Sequence, residues 1–211
     1  MKKGLNTLFN ALLCCSLLLV AVQSPLSHSS EVPRGEYIQP DNLFPKVKME
    51  TSIGSIVIEL DRSKTQITVD NFLSYVVAKR YDSTIFHRLE PEFVLQGGGY
   101  KKEMDDVSQI KEFKEIINES GSGLKNKQFT ISMARQYEPH TATSQFFFNL
   151  ADNDSLNPGK KWGYTVFGEV VEGFEVLEKA IEIGSEYSEE LGWPNYPKKE
   201  IKIISVQILS E

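Results

Sequence analysis

Apolar and polar residues alternate along several short stretches of the chain, a pattern typical of β-strands with one buried face. Residues 47–50 and 55–60 form two such stretches, and Ser52-Ile53-Gly54 between them predicts a β-hairpin. The segment 81–100 predicts two further short strands around a turn. The later stretches that predict strands are 128–134, 145–150, 164–171 and 201–209.

The period of the apolar residues changes to that of a helix in two places. Val69, Phe72 and Val76 belong to an apolar series that predicts an amphipathic α-helix over 68–79, and a second helix is predicted over 174–183. Many short strands, two helices and no alternation of strand with helix indicate a mainly β fold rather than a doubly wound sheet. We expect a closed or nearly closed antiparallel barrel, because closure leaves no strand edge exposed to other chains.

The first 24 residues have the layout of a secretory signal peptide. Lys2 and Lys3 precede an apolar run over about 8–22 that contains no acidic group, and small and polar residues follow it. The run is shorter than the roughly 20 residues that span a bilayer. A signal peptide over 1–24 is therefore favoured over its alternative, a retained membrane anchor.

Both cysteines of the chain, Cys14 and Cys15, lie inside this leader. Leu13 stands where a signal resembling the bacterial lipobox would carry a small residue, so lipidation of the leader is not favoured. Once the leader is removed the chain contains no thiol, and it can then form neither a disulfide nor a thiolate metal site.

The composition suits one soluble domain with a short extra segment, since 40% of the 211 residues are hydrophobic and 25% are charged. Residues 25–45 are polar and contain four prolines, from Pro25 to Pro45, which predicts an extended, flexible linker. The domain is then expected over 46–211. The formal charge of −6 gives the whole chain no attraction to nucleic acid or anionic lipid.

Candidate chemistry concentrates in the segment 81–100. Alternation along its second strand places Val94 and Gln96 on one face, and Arg88 on the first strand can approach Gln96 across the pair. Phe93 directly follows the turn, so its ring can lie on the same side. The segment therefore predicts half of a site in which a cation, an amide and an aromatic ring lie together.

Other reactive residue types form no recognisable site. The glycines at 97–99 lack the helix start and the Lys-Ser/Thr pair of a phosphate-binding loop, and they predict a flexible turn. His28, His87 and His140 are scattered without partnered acids, so no metal site is expected, and we interpret His87 as a packed core residue. Ser144 has no nucleophile-elbow context, which argues against a hydrolase.

Five runs of residues form a more specific combination: Phe86-His87-Arg88, Phe93 with Gln96-Gly97-Gly98, Met133-Ala134-Arg135, Ser144-Gln145-Phe146-Phe147 and 166–170. This combination resembles the cyclophilins, which are peptidyl-prolyl cis-trans isomerases, and is most similar to their exported bacterial members. The likeness extends over residues 46–209. It implies a closed eight-stranded antiparallel β-barrel capped by two α-helices, with a substrate groove on its outer face.

The resemblance also assigns roles to residues. It implies that Arg88 is the catalytic arginine and that no cofactor is needed. The residues that it implies for substrate binding are Phe93, Val94, Gln96, Arg135, Gln145, Phe147, Leu156 and Tyr164.

Three positions depart from the pattern of the family. Val94 stands where members usually have methionine, and Arg135 replaces the asparagine of many eukaryotic members. Ser155 occupies the place of a tryptophan or phenylalanine that lines one side of the groove. We therefore expect weak binding of cyclosporin-like drugs together with retained isomerase activity.

The residue types suit the isomerisation of an X-Pro bond. Amide resonance sets a barrier of roughly 18–20 kcal/mol, and rotation localises the lone pair on the prolyl nitrogen. A fixed arginine that donates a hydrogen bond near that nitrogen, or to the neighbouring carbonyl, favours the twisted state over the planar one. No bond breaks, so the chemistry requires no nucleophile, metal or cofactor.

The sequence thus predicts a prolyl isomerase that assists the folding of exported proteins, in the periplasm or after secretion. Its expected partners are proline-containing segments of unfolded or folding proteins, and we expect a monomer without membrane insertion after signal removal. The alternative is a cyclophilin-like binding module or holdase chaperone that captures proline segments with little catalysis.

Overall fold

The computed structural model describes residues 34–104 and 106–210. The predicted signal peptide over 1–24 lies outside the described residues, as do positions 25–33 of the predicted linker. None of the helices within the described ranges has the length and apolar character needed to cross a membrane.

The described part of the chain is mainly β, with two α-helices, which are α1 (Gln66–Val77) and α2 (Phe174–Ile183). A small separate sheet consists of β11 (Ser185–Ser188) and β12 (Trp193–Pro197). The strands of the main sheet are β1 (Lys46–Thr51), β2 (Gly54–Leu60), β3 (Thr84–Ile85), β4 (Arg88–Glu90), β5 (Val94–Gly97), β6 (Tyr100–Glu103), β7 (Asp106–Gln109), β8 (Thr130–Met133), β9 (Phe146–Asn149), β10 (Val166–Glu172) and β13 (Lys202–Ile208).

The main sheet has eleven strands in the described residues, so the expected number of eight is wrong. Its order is β4-β5-β9-β8-β10-β2-β1-β13-β3-β6-β7, and its strand pairs are antiparallel. One of the three additional strands arises because a predicted strand is interrupted. Phe86 donates its backbone N–H to Ile201 at 2.9 Å, whereas the N–H of His87 is bonded to Gln96 on the other side at 3.0 Å. This change of partner divides one extended segment into β3 and β4.

The helices were predicted closely: α2 has the predicted bounds, and α1 is shifted by two residues. The structure begins this helix at Gln66 and ends it at Val77, two residues earlier than expected at both ends. The carboxylate of Glu119 accepts the backbone N–H groups of Ile67 (3.3 Å) and Thr68 (2.8 Å). These donors lack partners within a helix. A cap supplied from about 50 residues away leaves no local signal in the sequence.

The apolar side of α1 packs into an aromatic core. The ring of Phe72 lies 5.1 Å from that of Tyr81 and 5.7 Å from that of Phe146, centroid to centroid. All three side chains are fully buried. Each such aromatic pair contributes about 0.5–1.5 kcal/mol beyond the burial of area. This packing fixes Phe146, and with it the strand β9 that carries part of the groove described below.

Residues 34–45, which the sequence analysis assigns to a flexible linker, are instead held against the domain. Arg62 is 5% exposed, and its Nε donates to Asp70 at 2.9 Å. A buried guanidinium needs such partners, because an unpaired buried charge is costly. Its remaining donors bond to the carbonyl oxygens of Gly35, Ile38, Gln39 and Asn42.

Candidate active site

A chain of polar side chains runs across β4, β5 and the start of β9. Arg88 and Gln96 are opposite residues of the β4–β5 pair, as the alternation predicts. Arg88 Nη1 donates to Gln96 Oε1 at 3.1 Å, and Gln96 Nε2 donates to Gln145 Oε1 at 2.9 Å. The amide of Gln96 thus both accepts and donates, which fixes its orientation, and the amide oxygen of Gln145 is the acceptor at the end of the chain.

Arg88 has a second partner, Glu90, that the sequence analysis missed. Glu90 Oε1 accepts hydrogen bonds from Nε (3.1 Å) and Nη2 (2.6 Å) of Arg88. The same oxygen accepts a bond from Asn195 Nδ2 at 3.2 Å. The two-residue spacing of Arg88 and Glu90 on one strand was a usable signal, because such residues share a face. Nothing local indicated Asn195.

Beside this polar chain lies a groove of about 190 Å³. It brings together all but one of the predicted site residues, and the remaining one, Gln145, adjoins it through its bond to Gln96. Within residues 34–104 and 106–210, no group of three or more His, Cys, Asp or Glu could hold a metal ion. The lining residues are Arg88, Phe93, Val94, Gln96, Ala134, Arg135, Phe147, Leu156 and Tyr164.

The apolar wall of the groove follows from strand alternation. Phe147 lines the groove and packs edge-on against Tyr164, with centroids 5.7 Å apart, whereas Phe146 is fully buried in the core, as predicted. Phe93 follows the turn after β4, and its ring centroid lies 5.7 Å from Cζ of Arg88. The wall and the cation are therefore neighbours.

A buried network of amides supports this wall from behind. Asn153 Nδ2 donates to the carbonyl oxygen of Phe93 at 2.9 Å and to Asn149 Oδ1 at 2.7 Å. Asn149 Nδ2 donates in turn to Asn126 Oδ1 (3.2 Å) and to Thr130 (2.9 Å). Because buried amides are costly when unpaired, the network holds the loop of Asn153 and the backbone of Phe93 in one arrangement.

Arg135 lines the groove, but its side-chain donors point to the backbone. Its guanidinium also lies over the ring of Tyr164, with Cζ 4.6 Å from the centroid. The residue therefore joins two loops and supports one wall of the groove. The carbonyl oxygens that accept its hydrogen bonds are those of Gln136, Tyr137, Trp162 and Gly163.

The glycines at 97–99 serve close packing rather than flexibility. A Cβ at Gly97 would lie 2.8 Å from the ring of Phe86, and a Cβ at Gly99 would lie 2.7 Å from the side chain of Gln145. Gly98 has φ +78°, in the left-handed region that glycine favours. The absent side chains make room for the core and for Gln145, so the interpretation as a flexible turn is corrected.

His87 neighbours Arg88 but lies outside the main core cluster. It is half-buried, with its ring 4.9 Å from Tyr100 and 6.0 Å from Trp193, centroid to centroid. Burial and, next, the charge of Arg88 lower the pKa of His87 to about 4, so it is neutral at pH 7. Its Nδ1 is buried without a hydrogen-bond partner in the described residues. His87 is therefore packed, as expected, but it lies among aromatic rings and remains partly accessible to water.

Residues 46–208 match the family described as cyclophilin type peptidyl-prolyl cis-trans isomerase/CLD. The chain is a cyclophilin. This cyclophilin is 42% identical over 169 residues to a peptidyl-prolyl cis-trans isomerase of Streptomyces antibioticus, covering 77% of this chain and 98% of that protein. It is 44% identical over 166 residues to one of Acinetobacter baylyi, covering 78% and 85%. The family and its isomerase activity are thus established for this chain.

A solved structure shows the same fold. The cyclophilin chain matches a cyclophilin-type isomerase of Cryptosporidium parvum with a TM-score of 0.62 and 27% identity, covering 80% of this chain and 99% of that one. A second structure of that protein was determined in the presence of the dipeptide Ala-Pro, with a TM-score of 0.61 and 27% identity, covering 79% of this chain and 99% of that one.

Proposed function

We propose that this cyclophilin accelerates X-Pro isomerisation in exported proteins and that Arg88 assists the twisting of the prolyl amide. The observation that carries the proposal is the meeting of Arg88 with an apolar wall in one groove. Arginine has five N–H donors. Three of them are used in bonds to Glu90 and Gln96 within the described residues, so two remain for a substrate.

The apolar wall holds the proline ring while the rest of the peptide rotates. Phe93, Val94 and Phe147 surround the space beside the guanidinium, and Val94 and Phe147 are nearly inaccessible to water. An apolar surround weakens the solvation of the planar, resonance-stabilised amide and strengthens a hydrogen bond from a cation. A donor placed at the prolyl nitrogen then lowers the energy of the twisted state more than that of the planar state.

The expected ligands are proline-containing segments of unfolded or folding proteins. The structure of the Cryptosporidium parvum relative that was determined in the presence of the dipeptide Ala-Pro supports a proline-containing ligand for this chain. Gln96 and Gln145 lie along its polar side and supply amide groups that suit an extended backbone. A chaperone role and a monomeric state belong to the same proposal.

Export rests on the leader alone. The basic, apolar and small-residue regions of 1–24 support a secretory signal, and periplasmic location or secretion follows from that signal. N-terminal sequencing of the protein recovered from the cell exterior or periplasm tests this part. Recovery only inside the cell, with Met1 or Lys2 at the N-terminus, would contradict it.

We further infer that the main sheet closes into a barrel. β3 and β4 belong to one segment, 84–90, which pairs with β13 at one end and with β5 at the other. β13 and β5 lie near opposite ends of the strand order, so pairing with both of them connects the two sides of the sheet and closes it.

A protease-coupled assay on an X-Pro tetrapeptide tests the role of Arg88. We expect Arg88→Ala to lower kcat/KM by about 100-fold, the size of effect seen when a preorganised donor is removed. Lys111→Ala, which also removes an exposed cation, is the matched control and should retain wild-type turnover. Equal, background-level rates for wild type and Arg88→Ala would refute the catalytic role.

A further inference from the structure

The guanidinium of Arg88 is hydrogen-bonded on one side to the carboxylate of Glu90. Glu90 Oε1 accepts its Nε–H and one Nη2–H, and Gln96 Oε1 accepts one Nη1–H. Two acceptors on different strands therefore define the plane and the rotation of the group. An arginine side chain otherwise samples many rotamers, and each one away from the groove is unproductive.

Glu90 is in turn anchored by the separate β11–β12 hairpin. Asn195, in β12, donates its Nδ2–H to Glu90 Oε1 at 3.2 Å. Its backbone has φ +56°, a conformation that asparagine tolerates better than most residues. Trp193 of the same strand packs near the rings of His87 and Tyr100. These contacts hold the hairpin next to β4, the strand that carries Arg88.

We propose that Glu90, anchored by Asn195, is a positioning residue that holds Arg88 in the orientation needed to donate to the twisted amide. This inference rests on the proposed role of Arg88. It makes the β11–β12 hairpin part of the active machinery, although none of its residues lines the groove. The predicted effect acts on turnover, because substrate binding depends on the apolar wall and the glutamines.

The first experiment separates kcat from KM in charge-matched variants. We expect Glu90→Ala to lower kcat about tenfold with KM changed less than about twofold, since a transition-state contact is misplaced. The kcat of Glu90→Gln should lie between those of wild type and Glu90→Ala, because the introduced amide oxygen still accepts hydrogen bonds from Arg88. Glu92→Gln removes the same charge from an exposed residue of the adjoining turn and should match wild type.

The second experiment tests the anchor. Asn195→Gly keeps the left-handed backbone and deletes the amide, so we expect kcat to fall about two- to threefold. In a Glu90→Ala background the same change should add nothing, because both act through one contact. Exchange of the Arg88 Nε–H, followed by 15N NMR, should speed up in Glu90→Ala and remain slow in Glu92→Gln.

The outcomes separate this inference from the proposed function. Unchanged or raised kcat in Glu90→Ala, or full additivity of Asn195→Gly with it, would overturn the positioning role while leaving Arg88 catalytic. Wild-type activity in Arg88→Ala would instead remove the premise on which the inference depends. A fall in kcat shared by Glu92→Gln would show a general charge effect and would also overturn the inference.

Discussion

Two arginines lie on the same groove and use their guanidinium groups in different ways. Arg88 is bonded to side-chain oxygens of Glu90 and Gln96, and two of its N–H donors have no hydrogen bond within the part of the chain that the structure describes. Arg135 donates to four backbone carbonyls and lies over the ring of Tyr164. We propose that the first acts on a ligand, whereas the second supports the walls of the groove.

The largest difference is expected when each arginine becomes lysine. Arg88→Lys keeps the charge but loses the planar fork, and we expect kcat/KM to fall about 30- to 100-fold. For Arg135→Lys, kcat/KM should fall less than about fivefold, because this residue does not contact the reacting atoms in the proposed mechanism. Protease-coupled kinetics on one tetrapeptide measure both. Similar losses in the two variants would contradict the division of roles.

Truncation of Arg135 is expected to loosen the groove. Arg135→Ala removes bonds to four carbonyls that otherwise join two loops, and we expect KM to rise about fivefold with a smaller change in kcat. The free energy of unfolding should fall by about 2 kcal/mol, since hydrogen bonds from charged groups contribute about 1.5–3 kcal/mol each and water replaces the exposed ones. Urea unfolding measures this loss. A selective loss of kcat would place Arg135 with Arg88 instead.

The wall near Arg135 should also set the affinity for cyclosporin. Ser155 is exposed and supplies no ring beside Leu156, so the wild type should bind the drug weakly. Ser155→Trp adds an aromatic surface there and should tighten binding about tenfold, whereas Ser155→Ala should not. Inhibition titrations with cyclosporin measure the affinity of the wild type and of both variants. Tight inhibition of the wild type would refute the expectation.

The smallest expected effect is the pH dependence of stability that arises from His87, the neighbour of Arg88. The pKa of His87 lies at about 4, below its ordinary 6.5, so between these values the unfolded chain binds more protons than the folded one. Stability from this group is therefore present above pH 6.5 and is lost as the pH falls towards 4. Urea unfolding of His87→Gln should depend less on pH over this window than that of wild type.

The sequence contained the local half of this site. A two-residue period was enough to pair Arg88 with Gln96 and to separate Phe146 from Phe147, because both relations lie within one strand or one hairpin. The roles remain predictions, but the places agree with the structure. What could not be predicted was contact over distance, such as Asn195 reaching Glu90 from 105 positions away.

The side chain of Arg135 illustrates a second limit. Its position in the groove followed from the resemblance, yet the sequence could not tell whether its donors meet a ligand or the backbone. That choice depends on the course of the loops at 135–137 and 162–163, which no periodicity describes. Regular strands are predictable from pattern, whereas irregular loops are not.

The burial of Arg62 has a practical consequence for where this domain can be cut. The family match begins at residue 46, but four of the carbonyl oxygens that satisfy Arg62 come from residues 35–42. A shortened chain that starts at Lys46 would remove four of the bonded partners of Arg62 and expose its guanidinium to water, so its ion pair with Asp70 would become a weaker, solvated one. We therefore expect a chain that retains residues 34–45 to be more stable than one that starts at the family boundary.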